Sequence, residues 1–268
     1  MPVIAPILIF AVLAAPAVRL LLLAARTRQA PELWVGFYFL GCAIGLPLRV
    51  VGHALDPTNP ALASDVNAVG HAFFAAATCA LTLFTWRVFR PKARWAAMLA
   101  PVLIVSIAGT TVWILRLGVA GDESSHWVLM ANAGRLGPLF WASIESIRYW
   151  RVMRRRGALG LADPIVTNRF LLWSLWTGAM SALPAMTLAL RVLFRIGEWI
   201  GVSLGDDFAQ APGVVLAVRI VFFLSAPVGA VALSLSFFPP DRYLQRVRSR
   251  AEARNEVPRG TAHLRGAA

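Results

Sequence analysis

Apolar residues gather into seven stretches, at about 3–25, 33–53, 66–88, 95–117, 126–149, 170–195 and 212–238, with short polar segments between them. Each stretch meets the roughly 20 residues that an α-helix needs to cross a bilayer. The pattern predicts an all-α membrane protein, a bundle of seven transmembrane helices over residues 1–240, with a basic tail at 241–268. No basic residue precedes the first stretch, and no small-residue cleavage site follows a short apolar core. It therefore reads as a retained span rather than a signal peptide.

The connecting segments alternate in charge. Arg26 and Arg28 follow the first stretch, and Arg87, Arg90, Lys92 and Arg94 follow the third. Six arginines between Arg148 and Arg169 follow the fifth, and the tail carries seven more. The remaining connections, such as HALDPTNPALASD and GVAGDESS, are acidic or neutral. Under the positive-inside rule this predicts the N-terminus outside and the C-terminus in the cytoplasm of a bacterial inner membrane. Trp34, Trp86, Trp95, Trp127, Trp150, Trp173 and Trp199 fall near span ends, where an interfacial aromatic belt belongs.

Polar residues inside the spans are arranged on faces. Asn67, His71, Thr78, Thr82 and Thr85 fall within about 60° of one another on the third helix. Asn132, Arg135, Ser143 and Ser146 form a second stripe on the fifth, and Ser174, Thr177 and Ser181 a third on the sixth. Ala226, Ala230 and Ser234 give the seventh a face of small residues. Hydroxyls and small residues in such places ordinarily hold helices together. Histidine, asparagine and arginine at these depths require more explanation.

Composition sharpens the picture. Of 268 residues 58% are hydrophobic and 15% charged, against about a quarter charged in soluble domains. That excludes a soluble enzyme on a membrane tether. The net charge of +13 is explained by the cytoplasmic loops, and nucleic acid is not an expected partner. The bilayer is, and so are anionic headgroups at those loops and the tail. Cys42 and Cys79 lie within apolar runs without paired spacing, as packing residues do.

Arg135 lies about 13 Å below the outer surface by residue count and Arg219 about 10 Å. An arginine at mid-helix costs roughly 2.5–3.5 kcal/mol on insertion scales. Two arrangements offset that cost. In one, Arg135, Arg191 and Arg219 pair with outer-loop acids among Asp56, Asp65, Asp122, Glu123, Glu198, Asp206 and Asp207. In the other, Arg135, Arg219, His71, Arg191, Asn132 and Asn67 line an outward pocket that binds a small anion, because the planar guanidinium matches carboxylate or phosphate. Arg49, Arg116 and Arg195, nearer span ends, are expected to reach the headgroups. Glu145 is expected to pair with Arg148, three residues on.

Several chemistries find no support. A retinal Schiff base needs a lysine in the last span, and Lys92, the single lysine, lies in a loop. Spans six and seven hold no histidine for a zinc hydrolase, and His71 has no partner at matched depth for haem. No nucleophile and base pair is spaced for catalysis. No catalytic residue, metal or cofactor is therefore expected.

The segments GLADPIVTNRFLLW (160–173) and FFPPDRYL (237–244) resemble parts of uncharacterised multi-pass bacterial membrane proteins. The layout is similar to bacterial seven-helix sensory input modules, which precede a cytoplasmic kinase or cyclase. Here 28 residues follow Pro240, too few for an output domain, so signalling would require a separate cytoplasmic partner. The tail from Asp241 is expected either as a surface helix, with Tyr243, Leu244, Val247 and Ala251 against the bilayer, or as an unstructured basic segment. The resemblance and the deep cations together imply a receptor-like sensory module. The alternatives are a small-anion transporter or channel and, last, an intramembrane enzyme.

Overall fold

The computed structural model describes residues 4–120, 125–199 and 212–249. Among these the chain is helical: α1 (Ile4–Thr27), α2 (Ala30–Leu55), α3 (Pro60–Phe89), α4 (Arg94–Leu117), α5 (His126–Ala158), α6 (Pro164–Trp199) and α7 (Pro212–Phe237), followed by a short α8 (Asp241–Ser249). The fold is that of an all-α membrane protein. α1, α2, α3 and α4 are long and apolar enough to cross a membrane, and the bent pair formed by the end of α7 and α8 makes a fifth candidate. α5 differs from the expected apolar span for a physical reason. It carries the polar stripe on one face, and its last turns hold Arg148, Arg151, Arg154, Arg155 and Arg156.

Local sequence sets several helix boundaries. Asn59 caps α3, its Oδ1 accepting the Leu62 N–H at 3.1 Å, and Pro60 occupies the first turn, where its missing N–H costs nothing. The same device opens α6, where Asp163 Oδ1 accepts from the Ile165 N–H at 2.7 Å ahead of Pro164. Gly118, at φ 65°, ends α4 in the left-handed conformation that glycine adopts without strain. Pro16, Pro47, Pro101, Pro138, Pro184 and Pro227 lie inside helices that continue through them.

The main core joins α1, α2, α3, α5, α6 and α7, while α4 packs outside it against α3 and α5. At its centre Phe39 is fully buried, its ring 5.9 Å from Trp173, 5.8 Å from Trp176 and 5.4 Å from Phe237. Across the α2–α3 seam the backbones nearly touch. A Cβ added at Gly41 would sit 2.8 Å from the Phe73 carbonyl oxygen, and one at Gly45 would sit 2.8 Å from that of Gly70. Small residues four apart allow this approach in lipid, where dispersion rather than water exclusion drives helix association.

α7 corrects one expectation. Ala230 and Ser234 are exposed, and the inward face is instead Gly229, Ala232, Leu233 and Ser236. Ala226 lies outside the described side chains. α8 turns 86° from α7. Its Tyr243, Leu244 and Val247 are half-buried and line a shallow groove with Ile165, Asn168, Arg169 and Leu235. The Asn168 amide donates to the Tyr243 hydroxyl at 2.5 Å. The two sequence segments singled out above thus meet at this end of the molecule. Ala251 and the rest of the tail lie outside the described residues.

Candidate functional site

α3 and α5 run in the same direction and are bridged twice. Near one end, Arg135 of α5 is 2% exposed and its Nη2 donates to the His71 carbonyl of α3 at 3.3 Å. Its Nη1 lies 3.5 Å from Asn132 Oδ1, at the limit of a hydrogen bond. The guanidinium stands 5.3 Å from the centre of the Phe74 ring, a cation–π contact. These contacts offset part of the desolvation of a buried charge, and none of them neutralises it.

The surrounding side chains are as deeply placed. His71 is 0% exposed and Asn67, one turn before it, 1%. The Ala120 backbone stands beside the His71 ring, although neither ring nitrogen makes a well-aligned hydrogen bond, and Asn67 Oδ1 and Arg135 Nε have no partner among the described residues. Arg49 of α2 adds positive charge within electrostatic reach of both Arg135 and His71. Its stem lies against α3, where a Cβ at Gly70 would come within 2.9 Å of Arg49 Cγ. The Arg49 stem therefore lies in the helix seam, a placement that is compatible with its head reaching the headgroups. The readable signal was its register: Gly45, Arg49 and Gly52 share one face of α2.

Of the six residues named from sequence, Arg135, Asn132 and His71 are joined by direct contacts, and Asn67 lies on the His71 face of α3. Arg191 is half-buried on α6, and the described hydrogen bonds of Arg135 do not include it. The Arg219 side chain lies outside the described residues, as does that of Arg195. The acids proposed as partners divide similarly. No carboxylate pairs with Arg135 among the described residues, Asp56 and Asp65 included. The side chains of Asp122, Glu123, Glu198, Asp206 and Asp207 lie outside them.

The second bridge joins residues far apart along the chain. Glu145, 2% exposed, accepts from Arg90 Nε at 3.0 Å on each carboxylate oxygen, with Arg90 Nη2 at 2.9 Å. Arg148 stands farther off, at 3.9 Å, and its side chain is 60% exposed. The expected i,i+3 pair is thus the weaker partner. The charge-assisted hydrogen bonds hold the Arg90 guanidinium above its ordinary pKa range. Arg90 belongs to the α3–α4 connection, 55 residues from Glu145, and no local spacing rule relates the two.

Most of the stripe hydroxyls donate to backbone carbonyls, while Ser146 Oγ has no partner among the described residues. Thr82 donates to Thr78 at 2.8 Å, Thr85 to Leu81 at 2.8 Å, Thr177 to Trp173 at 2.9 Å and Ser181 to Gly178 at 2.8 Å. Ser143 donates across to the Ser174 carbonyl at 3.1 Å and so ties α5 to α6. Among these bonds that of Ser143 crosses between helices, and those of the threonines and Ser181 stay within their own helix. No group of three or more His, Cys, Asp or Glu side chains stands ready for a metal among the described residues, and Cys42 and Cys79 are free thiols.

Against known families, curated proteins and solved structures, the chain matches none.

Proposed function

We propose that this chain is a seven-span protein of a bacterial inner membrane, N-terminus outside and C-terminus in the cytoplasm. In this reading it is a receptor-like sensory module whose outward half binds a small anion. One observation carries the proposal. Arg135 is buried without a carboxylate partner among the described residues, and its Nε has no acceptor among them. A structural ion-pair network would instead place an acid against the guanidinium. Arg219 and Arg191, on α7 and α6, are proposed as further cationic contributors.

Binding at this end is coupled to the other through α5. The helix that carries Arg135 also carries Glu145 and the basic turns up to Ala158. A small movement of α5 against α3 displaces the 148–169 region, which a separate cytoplasmic partner would read. The arginines of that region and of α8 also suit anionic headgroups.

A transporter or channel for the same anion is the second reading, favoured by the polar stripe running along α3. The threonine geometry weighs against it, since an anion conduit needs free donors and the hydroxyl protons of Thr78, Thr82 and Thr85 are already engaged. Flux of labelled anion into proteoliposomes separates the two: a receptor binds without transport.

Two results are expected. In thermal-shift titrations with small anions, the wild type gains stability and Arg135→Gln loses the response; an unchanged response in the variant discards the site. A reporter fused to the C-terminus is active only as a cytoplasmic fusion; periplasmic activity inverts the topology and removes the outward pocket.

A further inference from the structure

The rings of Phe89, Tyr149 and Phe170 pack together, 5.4 Å from Phe89 to Tyr149, 6.1 Å from Phe89 to Phe170 and 5.2 Å from Tyr149 to Phe170. The trio marks the level at which α3 ends and the chain turns into α4. Beyond that level α5 runs on to Ala158, and α6 has already begun at Pro164. By residue count the hairpin between them projects about 9–14 Å further. α3 and α4 are spans by length and composition, and Trp86 and Trp95 flank their turn as interfacial residues do. A headgroup layer is about 5–8 Å deep on each side of the hydrocarbon. Arg148 and Arg151 stay within its reach, and the tip of the hairpin stands clear of it.

That tip is apolar and held in place. Leu159 and Leu161 are 74% and 73% exposed. Their N–H groups both donate to the Arg156 carbonyl, at 3.0 and 2.9 Å, and Gly160 turns the chain at φ 72°. α8 covers one flank of α6 through Tyr243, Leu244 and Val247 and leaves the two leucines open. Arg155 and Arg156 are exposed beside them and pair with no carboxylate among the described residues. Asp163, the nearest acid along the chain, has its Oδ1 engaged by the Ile165 N–H. Covering the leucines removes apolar surface from water, and neither the described chain nor a bilayer at this level does so.

We infer that the α5–α6 tip is a docking surface for an acidic cytoplasmic protein, with Leu159 and Leu161 at the centre of the contact and Arg155 and Arg156 at its rim. An apolar centre inside a charged rim is the ordinary anatomy of a protein interface, and the rim charge selects a partner of opposite sign. The inference rests on the cytoplasmic placement of this end in the reading above and adds the partner's chemistry; it does not depend on the anion site.

The test uses the full-length protein in nanodiscs of phosphatidylcholine, alone or mixed equally with phosphatidylglycerol. Two fluorescent peptides of identical glutamate-rich and leucine-containing composition are the probes, one with its leucines on a single helix face and one with them dispersed. The amphipathic peptide is expected to bind at least about tenfold more tightly in both discs, by fluorescence anisotropy. Leu159→Ser with Leu161→Ser removes that preference, whereas Arg155→Gln with Arg156→Gln weakens both peptides and flattens the salt dependence. Equal binding of the two peptides, or an unchanged preference in the leucine variant, marks general charge attraction and overturns the inference. Binding that disappears in the anionic discs shows the bilayer to be the occupant and overturns it as well. Leu161→Cys, treated with a membrane-impermeant maleimide, is expected to react in inside-out vesicles and not in right-side-out ones. The reverse pattern inverts the topology and overturns both the reading and the inference. Labelling from the cytoplasmic side without a peptide preference overturns the inference alone.

Discussion

Arg90→Ala is expected to destabilise the protein by about 3 kcal/mol, and Glu145→Gln by only about 1 kcal/mol. The asymmetry follows from where each charge goes when its partner is lost. The Arg90 side chain is 31% exposed and that of Glu145 3%. An orphaned Arg90 turns into the aqueous loop region, whereas an orphaned Glu145 stays in the helix seam. Arg148, 3.9 Å away and mostly exposed, swings in to recover part of the loss, which keeps the figure at the lower end for a broken buried pair. Removing both charges with apolar residues of similar volume, Arg90→Met with Glu145→Leu, is expected to restore most of the stability, because the desolvation cost of both ions disappears together. Reversible unfolding in mixed micelles, followed by circular dichroism, measures all three. A larger loss in Glu145→Gln than in Arg90→Ala would contradict the burial argument.

Phe39→Ala is expected to cost about 3–5 kcal/mol, the range for deleting a fully buried phenylalanine. The ring touches aromatic partners from α6 and α7 at once, so its loss opens a cavity where three helices meet. In a bilayer no solvent-driven collapse closes that space, and helix association rests on the contacts themselves. Phe39→Leu, which retains most of the volume, should cost about 1 kcal/mol. The unfolding assay reads the energies. Acrylamide quenching of tryptophan should increase in the alanine variant as the cluster around Trp173 and Trp176 loosens. Unchanged stability in Phe39→Ala would show that α6 and α7 are held to α2 elsewhere.

Legibility of the fold tracked the range of the interactions. The helices were readable because apolar runs and their punctuation are local: Asn59 with Pro60 and Asp163 with Pro164 set helix starts within a few residues. The burial of Asn67, His71 and Arg135 was also foreseeable, since the stripe on α3 and the depth of Arg135 follow from helical periodicity. Other features were misjudged where a residue's partner lies far along the chain. Glu145 has Arg148 three residues on, yet its carboxylate is held by Arg90, 55 residues away along the chain. Ala230 and Ser234 are small enough for close packing, yet Gly229 and Ala232 face inward. Size sets how closely a surface can approach, and the neighbouring helix decides which surface is used.

The sequence by itself determined a helical, membrane-embedded chain with cationic connections alternating with acidic or neutral ones. Hydropathy, capping and charge act through nearest neighbours and are written in order. Only the tertiary structure decided that Arg135 meets the His71 carbonyl and that Glu145 is claimed by Arg90 rather than Arg148. Those pairings depend on the relative rotation of α3 and α5, which is set by packing across helices and leaves no periodic trace in either one.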